Sequence, residues 1–328
     1  MKSILILLFV VFIQTLSAKN DSIILPTAIV NDELNYILGA GESWLDTSSF
    51  SHTYSVSVDE WLASSTPVFI KNYGTGALST SSLRGMSAKH TSIYWEDIPL
   101  NSPMLGQLDL SLLSINAFDN VGIVTGTNSL DVGEGGLGGV LKFSQNKRLT
   151  QPLEFLIFQG INSWANYRGN TNLSTAFGNG LSRSNLFWQI GKNQFSYKDK
   201  TSAGLPTRQA EGTEIWQLGF KQYLQWRIKD KHEISIDGWY QGSDRGILTP
   251  PARQQDKNGR GLLSWRYLGD KQSLSVKTAF LHDQFIYQQT SKSFSNRWFT
   301  RVDFRQNLRH NIQLKAGFSS TFLSLIHI

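Results

Sequence analysis

The sequence predicts a membrane β-barrel wall, incomplete as it stands, preceded by a compact N-terminal α+β domain. Three observations carry this reading. Beyond Lys147, apolar and polar residues alternate with period 2 over long stretches, as half-buried strands do. Before Lys147 there is no such train: short apolar strands and one helical stretch end in a dense cluster, Gly133, Gly135, Gly136, Gly138 and Gly139. The composition is also unusual, with only 17% charged residues but 12% aromatics, including 10 Trp. That balance suits a protein with one face in lipid and aromatic girdles at the interfaces.

In chain order, residues 1–18 form an export signal. Lys2 supplies the positive start, Ile4 to Ile13 the apolar run, and Leu16-Ser17-Ala18 a cleavage site. The run is shorter than the roughly 20 residues of a membrane-spanning helix. Any spanning by the exported chain therefore falls to strands. Residues 19–54 form an N-terminal segment. Its apolar stretch Asp21 to Val30, broken by Pro26, is either a strand offered to a partner's sheet edge or the first strand of the next domain. It begins so soon after the cleavage site that no additional N-terminal signalling domain is expected.

Residues 55–147 form the compact domain. Val56 to Leu62 reads as a helix with early Asp59 and Glu60, stopped by Pro67. Val68-Phe69-Ile70, Thr91 to Trp95, Val121 to Val124 and Val140 to Phe143 read as strands. Tyr73 to Gly76 and Asn101 to Gly106 read as loops, Glu96 to Pro99 as a turn, and Leu108 to Leu113 as a short apolar segment.

Residues 148–328 form the wall. In its clearest strand Trp216, Leu218, Phe220, Leu224, Trp226 and Ile228 fall on one face, and Gln217, Gly219, Lys221, Tyr223, Gln225 and Arg227 on the other. One apolar face and one face holding Lys and Arg is the division between lipid outside and water or a plug inside. Leu186, Trp188 and Ile190 repeat it, as do Leu274, Val276 and Phe280, then Trp298, Val302 and Phe304, then Ile312, Leu314, Ala316 and Phe318. Turns at Lys229 to Lys231 and Gly269 to Lys271 are short, whereas Lys198 to Gly212 and Gly242 to Gly259 read as longer polar loops. A soluble β-sandwich also alternates, but long strands with Arg-rich inward rows favour the barrel. The pattern holds roughly nine strands, and a barrel that small has no room for the preceding domain. The sequence is therefore expected to be the first part of a longer chain.

Chemical motifs are sparse. Without cysteine, disulfides, Cys-based zinc sites and thiol catalysis are excluded. The six His offer no metal-binding spacing, so no metal site is assigned. Gly133 to Gly138 spells G-x-G-x-x-G, but a strand rather than a helix follows, against a dinucleotide site. Asp59/Glu60 and Glu96/Asp97 fit a helix start and a turn. The formal charge of +6 is spread along the wall rather than gathered in a nucleic-acid patch. No catalytic residue and no cofactor is assigned.

Residues 56 to 143 resemble the plug domain of TonB-dependent outer-membrane receptors. The pieces that carry the resemblance are Thr66-Pro67-Val68, Leu83-Arg84-Gly85, Thr91 to Trp95 turning into Ile98-Pro99-Leu100-Asn101, Asp109-Leu110-Ser111, Val121 to Gly126 and Gly135 to Val140. Asp97 stands where the family usually has Gly, and Gly122 where a charged residue is common. The resemblance implies a barrel of about 22 strands with a plugged lumen. It also implies energy-coupled import of a large scarce nutrient of the siderophore, haem or cobalamin class, with TonB, an iron chelate or cobalamin, and outer-membrane lipid as partners. A passive channel or plugged surface receptor is the alternative. In this resemblance Asp21, Ser22, Ile23, Ile24, Leu25, Pro26 and Thr27 contact TonB. Tyr73, Gly74, Asn101, Ser102, Pro103 and Met104 face the ligand, and Arg84 pairs with a barrel carboxylate.

Overall fold

The computed structural model describes residues 41–46, 57–74, 77–126, 136–145, 153–247, 252–288, 290–308 and 312–327. The expected TonB contact, Asp21 to Thr27, lies outside them. All described elements belong to one unit, residues 37–328.

The first layer is a five-stranded sheet in the order β1-β6-β7-β4-β5. β1 (Gly41–Asp46) precedes α1 (Val58–Ser65), β2 (Phe69–Asn72), β3 (Ser79–Ser82), β4 (Thr91–Trp95), β5 (Ile98–Pro99), β6 (Asn120–Thr125) and β7 (Gly139–Ser144). β1 pairs antiparallel with β6, ahead of residue 55 where the compact domain was expected to start. Trp44 lies opposite Gly122, and a Cβ at Gly122 would stand 2.9 Å from the Trp44 ring. The charged residue common at position 122 would collide with that ring, which accounts for the glycine.

Helix α1 forms because Val58, Trp61 and Leu62 share a buried face at helical spacing and Asp59 and Glu60 favour the positive helix start. It starts at Val58 rather than Val56 because Ser57 is still extended, bridging Ser114, and the Val58 N–H donates to the Leu113 carbonyl at 2.8 Å. At its end, the Thr66 hydroxyl donates to the Leu62 carbonyl at 2.7 Å, and Pro67 cannot continue the ladder.

β4 and β5 form a hairpin with Trp95 opposite Ile98. Its two turn residues, Glu96 and Asp97, take φ 48° and 66°, a mirror-image turn that Asp tolerates and Gly would favour. β7 runs parallel to β4 and antiparallel to β6. The end of the glycine cluster is explained here: Gly139 has φ +141°, and a Cβ on it would stand 2.8 Å from Leu83 Cδ1 and 3.0 Å from the Val124 carbonyl. Gly139 lets β7 approach Leu83 and β6, and the strand β7 rather than a helix follows the cluster.

The second layer is a nine-stranded antiparallel sheet. It comprises β8 (Glu154–Asn162), β9 (Asn166–Phe177), β10 (Gly180–Gly191), β13 (Ile215–Ile228), β14 (His232–Ile247), β15 (Ala252–Leu268), β16 (Gln272–Tyr287), β17 (Ser291–Asn307) and β18 (Gln313–His327). A small hairpin, β11 (Ser196–Lys198) with β12 (Thr207–Gln209), occupies the long connection between β10 and β13. The alternation read from sequence is the alternation of faces. Gln217, Lys221, Tyr223 and Gln225 are buried, while Trp216, Leu218 and Phe220 are 43–47% exposed on the opposite face. The stretch Gly242 to Gly259 corrects the sequence reading. Its residues 242–247 and 252–259 are strand rather than loop, with Gly242 opposite Lys257 and Ser243 opposite Asp256. Both faces are polar there, which hides period 2 from hydropathy, but the ladder still satisfies the backbone. No described helix is long and apolar enough to cross a membrane.

The first layer packs on the polar face of the second. Its core of Trp61, Leu62, Ile93, Trp95, Leu110, Phe118, Val121, Leu141 and Phe143 runs on into Trp239, Leu262, Leu281 and Phe299 of the wall. Trp95 and Trp239 lie 4.8 Å apart by ring centroids, and Phe118 meets Trp239 edge-on at 5.5 Å. Burying each Leu, Ile or Phe in such a core contributes about 1.5–3 kcal/mol.

Candidate functional site

The seam between domain and wall is the polar centre of the molecule. Wall strands place Lys and Arg at inward positions, where they would be costly to bury unpaired. The compact domain answers with carboxylates from four separate segments. Glu60 of α1 meets Arg168 at 2.6 Å, Asp97 of the β4–β5 turn meets Lys277 at 2.6 Å, Asp109 meets Arg245 at 2.5 Å, and Asp119 meets Arg183. Hydrogen bonds to domain carbonyls add to these: Gln217 donates to the Leu112 carbonyl at 2.7 Å, Asn185 to the Asn116 carbonyl at 3.3 Å and Arg297 to the Asn101 carbonyl at 3.4 Å.

At the middle of the seam lies a wall ion pair capped by the domain. Lys221 and Asp237 are 3.1 Å apart and almost wholly buried. Lys221 also donates to the Ala117 carbonyl at 3.0 Å and stands 5.1 Å from the Phe118 ring, and the Trp95 indole N–H donates to Asp237 at 2.9 Å.

Asp109 holds several groups at once. Its Oδ1 accepts from the Ser79 N–H at 3.0 Å, the Ser111 N–H at 3.1 Å and the Ser111 hydroxyl at 2.7 Å, leaving Oδ2 for Arg245. One carboxylate thus joins the end of the Tyr73 loop, the end of the Asn101 loop and the wall.

The Asp97–Lys277 pair makes a pH prediction. The Lys277 ammonium holds the Asp97 carboxyl well below the usual carboxylate range, outweighing burial, which acts the other way. A depressed folded value means that the pair stabilises the seam fully above the ordinary carboxylate value of about 3.9 and loses that contribution as pH falls towards the folded value. Amides 96–98 should therefore stay protected from hydrogen exchange at pH 5 and lose protection only in stronger acid. In Asp97→Asn protection should already be lower at neutral pH and flatter across the acid range.

The expected ligand-facing residues occupy two loops. Tyr73 is 58% exposed, with Lys71 Nζ 4.7 Å from its ring centre. Gly74 has φ +116°, and its N–H donates to Asn72 Oδ1 at 2.7 Å, while Asn72 Nδ2 donates to the buried Asp59 at 3.1 Å. The Asn101 side chain is committed to the domain itself: it accepts from the Ile93 N–H at 2.8 Å and donates to the carbonyls of Thr91 and Gly106 at 3.1 and 3.2 Å. Ser102 and Met104 line a small cleft of about 50 Å³ with Asn258, Arg260 and Phe285 of the wall. Pro103, between them, is partly exposed. The structure brings the Asn101 loop to the wall, and places Tyr73 at the surface.

Arg84 is exposed in a left-handed turn at φ 54° and makes no ion pair among the described residues. The pairs that do join domain and wall run with the opposite polarity, carboxylate on the domain and cation on the wall. Sequence reading noted Asp97, Asp109 and the Glu60 pair only as turn, motif and helix-start residues. The signal that could have found them was the row of inward Lys and Arg, each requiring a buried counter-charge. Among the described residues no group of three or more His, Cys, Asp or Glu is placed to hold a metal ion.

Comparison with known proteins agrees with this geometry. Residues 43–140 match the family model described as the TonB-dependent receptor plug domain. No curated protein matches the chain. Among solved structures, the FrpB iron transporter from Neisseria meningitidis aligns at a TM-score of 0.74 and 13% identity, over 88% of this chain and 48% of that one. The copper transporter OprC aligns at 0.71 and 11%, over 87% and 46%. The siderophore receptor PiuA from Acinetobacter baumannii aligns at 0.65 and 12%, over 88% and 46%. The chain thus spans about half the length of these structures. It carries a plug domain set against a sheet with the fold of part of a barrel wall, and in this it resembles the TonB-dependent outer-membrane receptors.

Proposed function

We propose that the chain is the plug-bearing part of a TonB-dependent receptor, which imports a large scarce nutrient of the siderophore, haem or cobalamin class through a plugged barrel of about 22 strands. The role is transport and not catalysis. The observation that carries the reading is the seam: a folded domain held on the inward face of an amphipathic wall by ion pairs between domain carboxylates and wall cations, beside a shared apolar core. The likeness to an iron transporter, a copper transporter and a siderophore receptor supports import in general; the ligand class is part of the proposal.

In this reading the ligand meets Tyr73 and Gly74 on one loop and Ser102, Pro103 and Met104 on the other, while the Asn101 side chain keeps the second loop in shape. Asp109 couples both loops to Arg245 of the wall. Arg84 pairs with a carboxylate outside the described strands. Asp21 to Thr27 adds as a strand to TonB, whose pull draws on the plug. The test is uptake in energised cells and in cells whose proton gradient has been collapsed, with labelled ferric siderophores, haem and cobalamin as probes. Energy-coupled import predicts that uptake stops while surface binding continues. Uptake that persists would instead identify a passive channel.

A further inference from the structure

The plug is held differently on the two halves of the wall. On β14–β17, Trp239, Leu262, Ala279, Leu281 and Phe299 join the apolar core of the plug, and the Arg245–Asp109 pair beside them is buried. Among the described residues of β8–β13, none joins that core. There the wall offers amides. Asn166, Asn170, Asn172 and Ser174 share the inward face of β9, interrupted only by Arg168, and Asn185 and Gln189 stand beside them on β10. Gln189 donates to Asn166 at 3.2 Å, Asn170 donates to the Ser114 hydroxyl of the plug at 3.4 Å, and Asn185 reaches Asn172.

This column starts at the strand ends that carry the long 192–214 connection, the end that faces outward in outer-membrane barrels, and runs down to a cavity of about 310 Å³ between plug and wall. Asn116 and Gln145 of the plug and Asn172 and Asn185 of the wall line the cavity. Its charges balance, with Asp119 and Glu154 against Arg183 and Lys221. Asn185 is 6% exposed, and its Oδ1 has no hydrogen-bond partner among the described residues, an acceptor left open at the cavity.

The two halves differ in what parting costs. An amide separated from its protein partner takes up water at small net cost, whereas apolar side chains pulled apart lose their burial outright. The two ion pairs on the amide half, Arg168–Glu60 and Arg183–Asp119, leave Glu60 42% and Asp119 34% exposed, and partly exposed pairs hold weakly.

We propose that the imported solute passes between plug and wall along β9 and β10, handed from amide to amide and leaving through the cavity, while the β14–β17 half stays closed and keeps the plug in place. A column of neutral donors and acceptors suits a hydroxyl- or amide-rich solute and offers nothing to a purely apolar one. The route rests on the import proposed above.

The test is thiol labelling of single-cysteine variants of the full receptor in detergent micelles, with the unaltered receptor as background. These 328 residues contain no cysteine. S114C and N170C report on the amide half, A279C and L281C on the apolar half. All four positions are at most 2% exposed, so burial alone predicts equally slow reaction with a charged maleimide. The proposed route predicts reaction about tenfold faster at S114C and N170C, from local opening of that half. S114C keeps the size of the native side chain, so its rate does not come from a weakened seam, and the gap that L281C leaves works against the prediction. Equal rates, or faster reaction at A279C and L281C, would overturn the route. Uptake ties the opening to transport. E60C/R168C joined by a short bis-maleimide, which fixes the plug to β9, should import the recognised probe among labelled ferric siderophores, haem and cobalamin at about a tenth of the rate of the unjoined form. Equal uptake by the two forms would overturn the route. No uptake of any probe by the unaltered receptor would overturn the import reading itself, a result distinct from both.

Discussion

Lys221→Met is expected to weaken the hold of the wall on the plug by about 3–5 kcal/mol, the cost of leaving one member of a buried ion pair alone. The change removes the ammonium 3.1 Å from Asp237 and leaves that carboxylate with the Trp95 indole N–H as its plug contact. It also removes one of the two hydrogen bonds to the Ala117 carbonyl, that from Lys221 at 3.0 Å, leaving the one from Gln145 at 2.7 Å. Hydrogen exchange of the full chain in micelles should show faster exchange in β4 and β6, with the β13–β17 ladder protected as before. Lys221→Met combined with Asp237→Asn should recover most of the loss, because the Asn oxygen can still accept from Trp95 and no lone charge remains. The double-mutant cycle isolates the pair. A loss below about 1 kcal/mol for Lys221→Met, the range of exposed pairs, would show that the pair does not anchor the plug.

The second large effect is expected at Arg245. Its guanidinium lies between Asp109 of the plug, at 2.5 Å, and Asp256 of the wall, at 3.2 Å, with all three side chains largely buried. Arg245→Ala leaves two carboxylates without their shared cation, again costing about 3–5 kcal/mol. The signature should be local, because Asp109 also holds the N–H groups of Ser79 and Ser111. Exchange should quicken at those amides, at the base of both loops assigned to the ligand, while β6 and β7 stay slow. Arg245→Lys should recover only part, since one ammonium cannot reproduce the two-sided fork of contacts. Unchanged exchange at Ser79 would remove Asp109 as the link between loops and wall.

What was legible in the sequence was whatever obeys a period or a local rule. The wall strands announce themselves because Trp216, Leu218 and Phe220 must face lipid while Gln217 and Lys221 must not, and the structure keeps those faces. The strand Thr91 to Trp95 is found with its bounds unchanged, being β-branched and aromatic throughout and closed by a turn. The reading failed where both faces are polar, as at residues 242–247 and 252–259, because the backbone ladder that makes those residues strand leaves no mark on hydropathy. It was also blind to pairings distant in sequence. Nothing near Asp97 indicates Lys277, and Asp97 looks like an ordinary turn residue until the wall is folded against it. The departure from the family's glycine at that position turns out to supply a contact, and Gly122 turns out to make room for Trp44. β1 escaped notice for a related reason: its residues are largely exposed at a sheet edge and carry no clear alternation.

The most direct test of energy-coupled import is deletion of residues 21–27 from the full receptor, with surface binding and uptake of labelled ferric siderophores, haem and cobalamin measured side by side. The account predicts that binding of the recognised ligand is retained and its uptake is lost, because the plug still folds and still presents its loops but can no longer be pulled. Uptake that continues at the undeleted rate would contradict it.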